Sequence, residues 1–198
     1  MAESMNTYIP GYDFGKPISG VSPLTNEELG QLEQTVGWNE TDAAVLEHHA
    51  DLFRHGAEAM VDSWRAVIGA QPHLAHWFTN PQGEPDADYK ARVKRRFVQW
   101  VIDVATRPHD RDWLNYQEEI GLRHIPTKKN KTDGEQTPSV VPLRYLVSFI
   151  AIVLPIRQFF VNDIKDTEEL EAVESAWTNA VFLYITLWTR PYVLPGLW

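Results

Sequence analysis

The chain has 198 residues, no cysteine and a formal net charge of −9. That length is enough for one domain, 1–198, with a large core, and the lack of cysteine excludes disulfides, thiolate metal centres and cysteine nucleophiles. The acidic balance argues against nucleic acid or an anionic membrane as main partner, and 43% hydrophobic with 12% aromatic residues excludes disorder and implies an interior filled by rings.

Met1 to Asn6 lacks a basic region followed by an apolar run, so no signal peptide is expected. The longest apolar run, Leu146 to Ile156, contains Ser148 and Pro155 and lies between Arg144 and Arg157, too short and too tightly bracketed by charge to span a bilayer. A soluble, cytoplasmic protein is expected.

Residues 1–23 carry Pro10, Pro17 and Pro23 with Gly11, Gly15 and Gly20, which predicts an irregular arm. Tyr8, Ile9, Tyr12 and Phe14 are too apolar for a free tail, so the arm should lie against the body and cover something. Thr25 and Glu28 form a capping box for a helix reaching Val36. Thr41 is the expected cap of a second helix, which runs into Ala57 to Ile68 with a bend at Gly56. Pro72 opens a short helix ending near Trp77 and Phe78, and a turn-rich loop follows from Asn80 to Pro85. From Asp86 to about Arg107 one face holds Tyr89, Val93, Phe97, Trp100, Val101 and Val104, and a solvated face holds Lys90, Arg92 and Lys94 to Arg96.

The stretch Trp113 to Pro126 carries the strongest chemical signal. Trp113, Tyr116, Gln117, Ile120 and His124 recur at helical spacing and form one mostly apolar stripe. His124 closes that stripe, Gly121 removes a side chain one turn earlier, and Pro126 ends the helix. An inward imidazole beside a gap suits coordination of a flat, bulky group such as haem. The competing reading is a core histidine bonded to a backbone carbonyl, or one that favours the helix dipole.

Thr127 to Val140 reads as a polar loop. Pro142 to Val161 reads as one long helix apolar nearly all round, hence buried from more than one direction, in the middle of the domain or against a second subunit. A last helix opens at Asp166 or Thr167 and runs to Pro191. Alternating strand patterns and repeats are lacking, so the fold class is all-α. Other metal sites are weaker: His48, Asp51 and His55 share one helix face, His73 and His76 stand three apart, and His48 and His49 as neighbours should point apart. Phosphate loops, His-Glu-x-x-His pairs and nucleophile elbows are missing.

Four blocks, Ile9 to Gly15, Trp113 to His124, Lys128-Lys129 with Thr132 to Gly134, and Pro142 to Leu146, resemble the protoglobins, single-domain haem proteins related to the sensor domains of globin-coupled sensors. The resemblance runs nearly end to end. It implies a globin-like helical sandwich with an extra N-terminal helix, here Thr25 to Val36, and an arm that helps bury haem b. It places His124 at the proximal ligand and Trp64, Val93, Phe97 and Phe149 in the pocket across the haem, with Phe78 nearby. Arg96 and Tyr116 are the expected propionate contacts, and Ile120 shares the proximal stripe. Arg65 departs from the family, which has tyrosine there. A guanidinium needs a partner in an apolar pocket, so outward pairing with a propionate, Glu or Asp is expected; turned inward it would favour anionic ligands.

The function implied is reversible binding of oxygen, carbon monoxide or nitric oxide at five-coordinate iron, as a gas sensor or carrier, in a homodimer built on the last two long helices. The alternatives are a haem enzyme acting on nitric oxide or peroxide, or on carbene or nitrene precursors in an engineered relative, and a haem-free helical interaction module in which His124 only packs.

Overall fold

The computed structural model describes residues 8–194 and 196–198; the first residues, on which the expected lack of a signal peptide rests, lie outside them. Residues 8–23 hold no helix and lie on the body. Backbone groups of such an arm have no internal partners, and polar groups of the body supply them. Arg96 donates to the Pro10 carbonyl at 2.9 Å, Arg123 to that of Gly11, and Lys128 to that of Ile18 at 2.9 Å. Glu119 accepts from the Gly20 amide at 2.8 Å and Asn115 from that of Ser22 at 3.0 Å. The Tyr12 hydroxyl donates to Asp103 at 2.6 Å.

Helix α1 (Asn26–Val36) begins at the predicted Thr25 and Glu28 capping box and ends at Gly37, whose φ of 81° is left-handed. The cap of α2 (Glu40–His48) is Asn39 rather than Thr41. Its amide oxygen accepts from the Thr41 amide at 2.8 Å, and Asp42 returns a bond from the Asn39 amide at 3.1 Å. The bend expected at Gly56 lies at His49 instead. The chain leaves helical geometry at His49 and restarts as α3 (Ala50–Ala70), with Gly56 inside that helix. The tie of His49 to Glu169, 3.1 Å away, accompanies the break and is invisible to local sequence.

Helix α4 (Pro72–Ala75) leads into a 3-10 turn (His76–Phe78). Helices α5 (Ala87–Thr106) and α6 (Arg111–Leu122) start on the aspartate caps Asp86 and Asp110. The expected long helix from Pro142 is broken into α7 (Leu143–Ser148), α8 (Ile150–Val153) and α9 (Arg157–Phe160). Pro155 lacks the amide hydrogen that would continue it. Nor is this run buried all round: Leu146, Val153 and Phe160 are buried, but Val147 and Val161 are exposed. The run is apolar enough by composition to cross a membrane, though its continuous pieces are far shorter than the roughly 20 residues a span requires.

Helix α10 (Thr167–Thr189), capped by Asp166, is the centre of the molecule. It packs against α1, α2 and α6, and α3 packs against α5. Leu170, Val173, Trp177, Val181, Tyr184 and Trp188 on α10 are all buried. Indole N–H groups find partners there: Trp113 donates to Tyr184 at 2.9 Å, Trp177 to the Val153 carbonyl at 2.9 Å and Trp188 to Gln117 at 3.0 Å. Among the described residues there is no strand, only one isolated bridge between Thr79 and Pro85.

Candidate functional site

Helices α3, α5, α6, α7 and α8, with the arm and the C-terminal end of α10, surround a cavity of about 530 Å³. Its volume falls within the range of small-molecule and cofactor sites, and its wall is mainly apolar. Val93, Phe97 and Phe149 line it, with Phe78, Ile120 and Tyr145.

His124 stands in this wall, in the turn just beyond α6. Its backbone is held twice: its amide donates to the Gly121 carbonyl at 3.1 Å, and its carbonyl accepts from the Val141 amide at 2.8 Å. The Tyr192 hydroxyl lies 3.3 Å from the same carbonyl and donates to that of Val141 at 2.6 Å. The ring is fixed as well. Nδ1 is 2.8 Å from the Ile120 carbonyl, which can only accept, so Nδ1 carries the proton and Nε2 keeps the lone pair. Trp188 stacks on it at 6.0 Å with an interplanar angle of 21°. Burial pushes the His124 pKa down to about 4, against a smaller upward pull from the Ile120 carbonyl, so the ring is neutral at pH 7. The carbonyl bond expected of a plain core histidine is therefore present, and it is the same second bond that orients a metal-ligating imidazole.

The gap attributed to Gly121 is filled. A Cβ there would lie 2.9 Å from Pro191 Cγ and 3.1 Å from the Trp188 carbonyl oxygen, so Gly121 admits the C-terminal segment against α6 rather than leaving room for a ligand. Trp64 stands one layer behind the cavity wall. Its ring tilts against Phe97 at 5.4 Å and stacks on Trp177 at 6.1 Å.

Arg65 lies along the rim, 26% exposed, with Nη2 3.3 Å from the Lys90 carbonyl and Nη1 3.8 Å from Asp62. Arg96 also lines the cavity, and it forks onto Asp133 at 2.6 and 2.9 Å while holding the arm. Tyr116 is buried in the wall with Tyr12 and Phe14 of the arm edge-on to it, at 5.3 and 5.6 Å.

Sequence reasoning missed several residues of the site. Trp188 and Tyr192 hold His124 from a distant part of the chain, a pairing no local spacing reveals. Lys129 is buried in the cavity wall, donating to Thr137 at 2.6 Å and to the Trp77 carbonyl at 3.0 Å; burial lowers its pKa to about 8. The Lys128-Lys129 pair was a usable signal, because a lysine between apolar walls demands acceptors.

Helices packed around an apolar cavity with one neutral, oriented imidazole in its wall are a globin arrangement. The structure accordingly superposes on the globin domain of a Geobacter sulfurreducens globin-coupled sensor with a TM-score of 0.67 at 14% identity, covering 86% of this chain and 99% of that one. No curated protein matches the chain. The protoglobin family model matches residues 25–198, and the chain belongs to that family. Membership makes it a globin-type haem protein.

The residues present fit such a group. The cavity is of cofactor size, its wall is mainly apolar, and the imidazole set in it is oriented through Nδ1 and keeps its Nε2 lone pair for a metal.

Proposed function

We propose that this protein holds haem b in the cavity, where His124 Nε2 would hold the iron, and reversibly binds diatomic gases as a sensor or carrier. The observation that carries this reading is the His124 imidazole, neutral, pinned through Nδ1 to Ile120 and set in the wall of an apolar cavity. When bound, haem supplies an iron with an open coordination position for oxygen, carbon monoxide or nitric oxide. The chain's own part is to fix and restrict. The Ile120 carbonyl and the Trp188 ring hold the imidazole from turning, while Val93, Phe97 and Phe149 keep the remaining wall apolar and exclude water.

Arg65 at the rim is tied to Lys90 and Asp62, and in this role it closes the space between α3 and α5. Val147 on α7, Val161 after α9 and Phe182 on α10 are exposed, and the reading includes a homodimer through the helices that carry them.

The test is an absorption spectrum of the purified protein, reduced and then exposed to carbon monoxide. An intense Soret band that shifts with carbon monoxide, and its loss with haem in His124→Ala, is the expected result. Unchanged haem content in that variant would overturn the axial assignment.

A further inference from the structure

On an uninterrupted helix two adjacent side chains point about 100° apart, so neighbouring histidines do not share a ligand. The break between α2 and α3 falls at His49, with φ −96° and ψ 12°, and changes this. The His48 and His49 rings come together edge to face, with centroids 4.9 Å apart. Both then meet Glu169 of α10, which lies in the first turn behind the Asp166 cap. Glu169 Oε1 is 3.1 Å from His49 Nε2 and 3.9 Å from His48 Nε2.

We infer that His48, His49 and Glu169 form a binding site for one divalent transition-metal ion, of which Zn²⁺ matches the donors best. Two imidazoles and one carboxylate are ordinary zinc ligands, at bond lengths of about 2.0–2.2 Å. Tetrahedral bonds of that length put donor atoms roughly 3.3 Å apart, and the potential donor atoms here all lie within 4.8 Å of one another. The His48 side chain is 75% exposed and can move the remaining distance, whereas that of His49 is only 10% exposed and is held in place. The outer side is open to solvent, where water completes the coordination.

The other histidines do not converge in this way. His55 bonds the Asp51 carbonyl on its own helix at 2.6 Å, and His73 and His76 pack against the rings of Tyr145 and Trp77. The proposed ion would clamp the α2–α3 junction to the first turn of α10. It is independent of the haem cavity.

The experiment is calorimetric titration of the intact, haem-loaded 198-residue chain with Zn²⁺, paired with its thermal midpoint with and without the ion. One Zn²⁺ per chain, a raised midpoint, and at least tenfold weaker binding in both His48→Ala and Glu169→Gln are expected. These two side chains are exposed, so the variants test the site without depending on the packing of His49. The double variant His73→Ala/His76→Ala should bind as the parent does. No stoichiometric Zn²⁺ binding, or equal affinity in the parent and the two site variants, would overturn the proposal.

Discussion

Replacing Gly121 by alanine tests how the C-terminal segment is docked behind His124. Alanine favours helix over glycine by about 0.8–1.0 kcal/mol, so the local effect alone is stabilising. The added Cβ, however, meets Pro191 Cγ at 2.9 Å, Pro191 Cδ at 3.0 Å and the Trp188 carbonyl oxygen at 3.1 Å. A proline ring and a backbone carbonyl cannot swing aside as a flexible side chain would. Overpacking costs about 1–3 kcal/mol, and three rigid contacts on one side call for the upper end. The net expectation is a loss of about 2 kcal/mol, or roughly 4–8 °C in thermal midpoint for a domain of this size. Trp188 stacks on His124, so the imidazole should move as well and haem retention should fall. Urea denaturation measures the first effect, with Gly30→Ala in α1 as control: nothing lies within 4 Å of its Cβ, so that variant should be unchanged or slightly stabilised. A Gly121→Ala midpoint equal to or above the parent's would refute the reasoning.

The apoprotein should lose stability as pH falls from 6.5 toward 4. Burial depresses the folded-state pKa of His124 to about 4, so in that window the unfolded chain takes up a proton that the native state does not. The loss is at most about 3 kcal/mol; His124→Leu should flatten the slope in urea midpoints, and the smaller contribution of the same sign from His49 should remain. Arg190→Met should cost about 3–5 kcal/mol, because it strands the Glu118 carboxylate, whose side chain is 4% exposed. The double variant Glu118→Leu/Arg190→Met should recover most of that in the same assay. Tyr12→Phe removes the hydroxyl on Asp103 and should weaken arm docking by about 1.5–3 kcal/mol. Limited proteolysis should then cut residues 8–23 faster; an unchanged cutting rate would show that the arm does not depend on this bond.

Where a helix is started by its own neighbours, the sequence was readable. Thr25 with Glu28, Pro72, Asp86 and Asp166 all open helices, whereas α6 stops at Leu122, ahead of the expected end at Pro126, and leaves His124 in the turn beyond it. The cap of α2 falls on Asn39 rather than on the expected Thr41 because Asn39, two residues earlier, is an equally good acceptor and completes a capping box with Asp42. The tie of His49 to Glu169, the neighbour of Gly121 and the convergence of His48 on Glu169 involve α10 and the segment after it, more than sixty residues away, and no period records them. In the site, the stripe and the family motifs point to His124, Val93, Phe97 and Phe149, and all four line the cavity. Trp64 stands behind Phe97, and periodicity tells that a side chain points inward but not whether a second ring stands in front of it.

The broken run after Pro142 makes one side of the cavity softer than the rest. Its pieces have six, four and four residues, too short to be stable helices on their own, and Tyr145 on α7, Phe149 between α7 and α8, and Ile152 on α8 line the cavity. Opening there disturbs few backbone hydrogen bonds, whereas opening α10 would disrupt the core. Amide hydrogen exchange should therefore be fastest along 143–160 among the helical parts of the wall. Small molecules would come and go by brief parting of this patchwork, with His124 and its supports at rest behind it.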